Sequence, residues 1–144
     1  MHLLSIDLGE RRTGFASGDD VTGLVTPGAV VECGAGEALL EEIARRVREH
    51  GPDAIVLGLP LNMDATEGEP ARAVRAFGAR IAERTGLPVH YQDERLTSFA
   101  ADQRMARTGR THGQKRRRRD AIAAAQILED WLSAGGAEGR AGDA

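Results

Sequence analysis

A chain of 144 residues with 41% hydrophobic content suits one domain with one core, and a net charge of −3 excludes a global basic field. A single cysteine, Cys33, excludes a disulfide framework or a zinc knuckle, and no stretch approaches the roughly 20 apolar residues of a membrane span. The opening residues lack the basic-then-apolar pattern of a signal peptide, so the chain reads as soluble and cytoplasmic, with no membrane partner.

In chain order, residues 2–8 are mostly apolar, as a central strand buried on both faces would be. Residues 13–18 predict a second strand. Asp19-Asp20 would turn the chain into a third, from Val21 to Val31, which Pro27 and Gly28 interrupt. From Glu37 to His50, Leu39, Leu40, Ile43, Ala44 and Val47 keep helical spacing, and Gly51-Pro52 stops the helix. Asp53 to Leu59 reads as a buried strand, followed by a polar loop from Pro60 to Gly68. A second helix is expected from about Pro70 to Thr85, ended by Gly86, and Leu87 to Tyr91 as a fifth strand. Thr97 or Ser98 would cap a third helix running through Ala106. After a basic loop, a fourth helix carries Ala121 to Leu132. Residues 1–133 would form the single domain, and the Gly/Ala-rich residues 134–144 a disordered tail.

This order predicts an α/β fold: a mixed five-stranded sheet, with a three-strand antiparallel meander, two parallel strands and about four flanking helices. Right-handed crossovers would make strands four and five parallel to the first, so that their carboxyl ends share one edge with it. Asp7, the loop with Asn62 and Asp64, and Asp93-Glu94 would all lie at that edge.

The acids then suggest chemistry. Asp7 stands in an apolar run, where a buried carboxylate costs several kcal/mol (roughly 3–5) unless something pairs with it. Asp120 separates Arg116–Arg119 from a run of small residues that would let its helix lie close to the sheet. An acid on the inner face of that helix could reach Asp7. Asp7, Asp93 or Glu94, and Asp120 are sufficient oxygen ligands for Mg²⁺ or Mn²⁺, the cations of metal-dependent phosphodiester cleavage. Glu94 is the preferred ligand of its pair. The plainer alternatives are a turn aspartate at Asp7, a helix-start acid pair at Asp93-Glu94, and a first-turn acid at Asp120.

From Arg104 to Arg119 there are eight basic residues and no acid. Arg110, Lys115, Arg116, Arg117, Arg118 and Arg119 would contact phosphates without reading sequence, unless the run is only a solvated charge cluster. The loop at Asn62 offers further hydrogen-bonding groups, or is only a solvated connection. It lacks the Gly-Lys-Ser/Thr ending of a phosphate-binding loop. Tyr91 and Trp131 read as core, and His2, His50 and His90 as structural.

Four ordered stretches carry a resemblance: Ile6-Asp7-Leu8-Gly9, Gly58 to Asp64, Asp93 to Ser98, and Asp120 to Leu128. They resemble the YqgF family, the Holliday-junction resolvase-like group whose members are also named pre-16S rRNA nucleases, over about residues 3–132. The resemblance implies a ribonuclease H-like fold, a divalent-metal site at Asp7, Glu94 (with Asp93) and Asp120, and a bacterial cytoplasmic setting. It also implies maturation of the 5′ end of 16S rRNA on precursor particles, with cleavage of branched DNA as the alternative. Two features depart from the family pattern: Ala65 stands where a glycine is expected after Met63-Asp64, and the run before Asp120 is nearly all arginine.

Three functions remain open on these grounds, two that share one chemistry and one of a different class. A structured-RNA nuclease stands first and a junction resolvase, which needs a two-fold dimer to make paired cuts, stands second. A non-catalytic nucleic-acid-binding assembly factor is third. A monomer or a homodimer is compatible with the sequence. A sugar-kinase-like half-domain, suggested by Asp7-Leu8-Gly9, would need a second domain for which the chain is too short.

Overall fold

The computed structural model describes residues 1–94 and 112–136, with side chains over 1–94 and 120–136. Strands β1 (His2–Leu8), β2 (Thr13–Asp19) and β3 (Val25–Val31) precede helix α1 (Glu37–His50). Strand β4 (Ala54–Leu59), helix α2 (Glu69–Thr85), strand β5 (Val89–Asp93) and helix α3 (His112–Ser133) follow. The sheet order is β3-β2-β1-β4-β5, antiparallel across the meander and parallel from β1 through β4 to β5. The expected carboxyl edge therefore exists.

Alternation along the central strand sorts the two layers, because successive strand side chains point to opposite faces. Leu4 and Ile6 pack with Leu39, Leu40 and Ile43 of α1 and with Val74, Phe77 and Ile81 of α2. Leu3 packs on the other face with Ile127, Leu128 and Trp131 of α3. Each of these buried side chains contributes about 1.5–3 kcal/mol. Ser5 shares the parity of Leu3, and its hydroxyl donates to the Ala124 carbonyl at 2.7 Å, pinning α3 to the middle of β1. Ala16 of β2 meets Ala124 and Ala125, so small side chains bring the helix close to the sheet.

Local chemistry sets most boundaries. α1 ends where Gly51 takes a left-handed conformation (φ 60°) and its N–H returns to the Val47 carbonyl. Gly86 ends α2 in the same way, on Ala82.

Three expectations are corrected. The third strand begins at Val25 instead of Val21, because Asp19 accepts the Val21 N–H and left-handed Gly23 donates to the Asp19 carbonyl, spending the first residues on the turn. The fifth strand is shifted to Val89–Asp93. The last helix begins at His112, so Lys115 to Arg119 lie within helix and Asp120 is not a first-turn residue. The helix expected from Thr97 or Ser98 to Ala106 falls outside the described residues. Ala134 to Gly136 follow α3 as a turn, with the Gly136 N–H on the Trp131 carbonyl at 2.9 Å. The remainder of the expected tail is outside the described residues.

Candidate active site

Asp7, one residue short of the end of β1, points to the α3 side of the sheet, as Leu3 and Ser5 do. The positions flanking it in the sheet are glycines. Gly14 is its partner in β2. Gly58 lies one step beyond the Ile6–Leu57 pair of β4. The absence of side chains here makes room for two further acids. A Cβ on Gly14 would lie 2.3 Å from the Asp120 carbonyl oxygen, so α3 rests on bare backbone beside Asp7. A Cβ on Gly58 would lie 2.3 Å from Glu94 Oε2, so the Glu94 carboxyl occupies the space a side chain would fill.

Glu94 directly follows β5, and its N–H donates to the Leu59 carbonyl at 3.2 Å, tying it to the end of β4. Its carboxyl is hydrogen-bonded to that of Asp7. Two carboxyls in contact must share a proton. Burial is the first cause that raises the Asp7 pKa well above its ordinary value, followed by the charges of Glu94 and Asp120. Asp7 keeps some solvent exposure as a residue, but its carboxyl is packed densely enough for desolvation to dominate. Burial also raises Glu94, and the neighbouring charge of Asp93 adds to it. It is Glu94, not Asp93, that reaches Asp7.

Asp120 comes to the same place from α3, 21% exposed, and accepts a hydrogen bond from Arg12 Nε at 3.0 Å. Sequence reasoning misses Arg12. It sits in the short β1–β2 turn, which is tight enough that a Cβ on Gly9 would meet the Arg12 carbonyl at 2.2 Å. Only the spacing Asp7 to Arg12 could have signalled it.

Asn62 lies exposed in the β4–α2 loop, where its amide donates to Thr66 Oγ1 at 3.0 Å. Asp64 accepts from the Thr66 N–H at 3.1 Å, and Ala65 adopts a left-handed φ of 70°. The loop grows out of Leu59, whose carbonyl also holds Glu94. Lys115, Arg116, Arg117, Arg118 and Arg119 belong to the α3 segment leading into Asp120. Arg110 falls outside the described residues.

The donors suit a hard divalent cation: they are carboxylate oxygens, and removing the shared proton would leave two like charges in contact that a cation would offset. Among the described residues no three His, Cys, Asp or Glu side chains already surround an ion-sized space. The fit is one of chemistry and proximity. Asp7 and Glu94 are in contact, and Asp120 is within electrostatic reach but engaged by Arg12.

Sheet order, strand direction and an acid-lined carboxyl edge give the chain a ribonuclease H-like fold. T. thermophilus RuvC, solved in complex with a Holliday junction substrate, superposes with a TM-score of 0.57 at 14% identity, covering 94% of this chain and 96% of that one. The Fowlpox virus resolvase superposes at 0.59 and 12% identity, covering 93% and 98%. At such identity the likeness is one of fold. The chain belongs to the RuvX family, whose model, described as Holliday junction resolvase, matches residues 1–134. A protein of an Anaeromyxobacter strain named "Putative pre-16S rRNA nuclease" is 46% identical over 132 residues, covering 92% of this chain and 96% of its own. A protein of the same name from Azotobacter vinelandii is 42% identical over 131 residues, covering 91% and 92%.

Proposed function

We propose that the chain is a metal-dependent nuclease of the bacterial cytoplasm that hydrolyses phosphodiester bonds in maturing the 5′ end of pre-16S rRNA. The observation that carries this reading is the buried Asp7–Glu94 carboxyl pair, with Asp120 brought beside it by a helix that lies on Gly14. Buried acids in contact, with pKa values raised first of all by burial and, for Asp7, by the charge of Glu94, are a mark of a functional site.

In this reading Asp7 and Glu94, freed of their shared proton, would hold the cation with Asp120, while Asp93 would set the local negative potential. A bound Mg²⁺ or Mn²⁺ supplies charge against the scissile phosphate and makes a water more acidic. Hydrolysis adds water across one P–O ester bond, leaving a phosphomonoester and a free hydroxyl. Lys115, Arg116, Arg117, Arg118 and Arg119, with Arg110, grip the flanking backbone, and Asn62 lines the rim on the β4 side.

Cleavage of a four-way DNA junction is the second reading, favoured by the family model's own description and by the solved resolvases of the same fold. The test sets a precursor-like RNA spanning the 5′ end of 16S rRNA beside a four-way DNA junction, in Mg²⁺, Mn²⁺ and EDTA, with wild type and Asp7→Asn. Cation-dependent RNA cleavage that Asp7→Asn abolishes is the expected result. Preferred cutting of the junction selects the second reading, and binding without cleavage of either substrate leaves only an assembly factor.

A further inference from the structure

Arg12 is the one cation that the described residues place against the acid cluster, and it is only partly committed to it. Its Nε donates to Asp120 Oδ2 at 3.0 Å. Among the described residues nothing engages its two terminal nitrogens. The side chain is 24% exposed, so it stands at the rim of the site and is not wholly buried in protein. A guanidinium is a planar fork of five N–H donors, and one edge can be fixed on a carboxylate while another faces an oxyanion.

The position of the anchor determines what the free edge meets. Asp120 lies beside Asp7, across Gly14, so Arg12 is fixed on the β2 side of the acid pair, opposite Gly58 and Glu94. The turn that carries it is closed by Gly9, which has no room for a Cβ, so the arginine projects from a constrained backbone. A guanidinium with only one carboxylate partner, next to three acids that themselves repel a polyanion, compensates the charge cluster locally. A phosphodiester approaching those acids would find this positive group already placed.

We propose that Arg12 binds the phosphate at the cleavage point: its Nε is held by Asp120, and its terminal nitrogens take a non-bridging oxygen of the nucleic-acid backbone. This rests on the nuclease reading above and adds to it a specific phosphate-binding residue outside the basic run. Lysine cannot reproduce it. A single ammonium would have to serve Asp120 or the phosphate as a point charge, without the fork.

The experiment separates phosphate binding from mere positioning of Asp120. Binding of a fluorescein-labelled precursor-like RNA and of a labelled four-way junction is measured in EDTA, where cleavage is absent, over a range of salt. Wild type, Asp120→Asn, Arg12→Ala, Arg12→Lys and the double variant Asp120→Asn/Arg12→Ala are compared, each with a thermal melt as the folding control. If Arg12 contacts phosphate, the double variant binds about tenfold more weakly than Asp120→Asn alone. The slope of log affinity against log salt falls by about one. Arg12→Lys restores the salt slope without restoring the affinity. If Arg12 only positions Asp120, the double variant and Asp120→Asn bind identically with equal slopes, and the proposal is overturned. If wild type binds neither nucleic acid, the nuclease reading itself fails, a result distinct from equal binding by the two variants.

Discussion

Gly58 lies under the carboxyl of Glu94 so closely that a Cβ on it would stand 2.3 Å from Oε2. The glycine is therefore part of the site without contributing any chemistry. It keeps the lane open through which an acid from the end of β5 reaches an acid in β1.

Gly58→Ala is expected to separate Glu94 from Asp7. The added methyl would also press on Ile127 Cδ1, at a separation of only 2.6 Å, so a stability loss of about 1–3 kcal/mol accompanies it. Cleavage should fall by far more than the folded fraction at the assay temperature. A melt beside a cleavage assay checks this, and activity that merely tracks the melt would assign the glycine to packing alone.

Asp7→Asn should abolish cleavage and leave the fold intact or stabilised at neutral pH. The native carboxyl is desolvated and faces Glu94 and Asp120, and the amide removes that repulsion while keeping the shape. An unchanged or raised Tm with lost turnover is the expected pair of results. Retained turnover would remove Asp7 from the chemistry.

The shared proton makes stability depend on pH and on metal together. In the unfolded chain Asp7 and Glu94 lose their protons near 3.8 and 4.5; in the folded state burial, first of all, raises both. The folded state then holds a proton where the unfolded state holds none, so stability without metal falls as pH rises from about 4 through the raised folded values. Mg²⁺ bound at these carboxyls, as proposed, would favour the deprotonated pair, so the Tm gain on adding it should grow with pH over that window. Melts of wild type and Asp7→Asn, in EDTA and in Mg²⁺ from pH 4 to above neutrality, isolate this contribution as the difference between the two proteins. A Tm gain that is equal in both would show that the cation binds elsewhere.

Ala65→Gly should stabilise the β4–α2 loop. The alanine holds φ at 70°, where a Cβ costs about 1–2 kcal/mol, partly offset by the extra freedom glycine brings to the unfolded chain. The expected net gain is about 0.5–1 kcal/mol, read from denaturant midpoints at unchanged m. Loss of stability would mean that the loop in solution does not use this conformation.

Much of this is legible in the sequence where the signal is local. The bounds of α1 follow from Leu39, Leu40 and Ile43 at helical spacing and from Gly51-Pro52 as a stop. The approach of Glu94 to Asp7 follows from strand direction, since parallel β1, β4 and β5 put their carboxyl ends on one side. What stays hidden depends on partners far away in the chain. Nothing near Arg12 shows that it bonds a residue 108 positions later. The roles of Gly14 and Gly58 become visible only once Asp120 and Glu94 are laid over them. The start of α3 escapes the sequence because Lys115 to Arg119 present no apolar periodicity, although arginine is a good helix former. The glycine expected at position 65 proves to be a conformational requirement, which Ala65 meets under strain.

Helix α3 is one rod of 22 residues, with its arginine-rich half leading straight into Asp120 and its apolar half clamped to β1 through Ser5. In the proposed reading, grip and catalysis would share a lever. A substitution that tilts the rod, even at its far end beside Trp131, is expected to alter substrate hold and turnover in concert, so the two quantities should covary across variants.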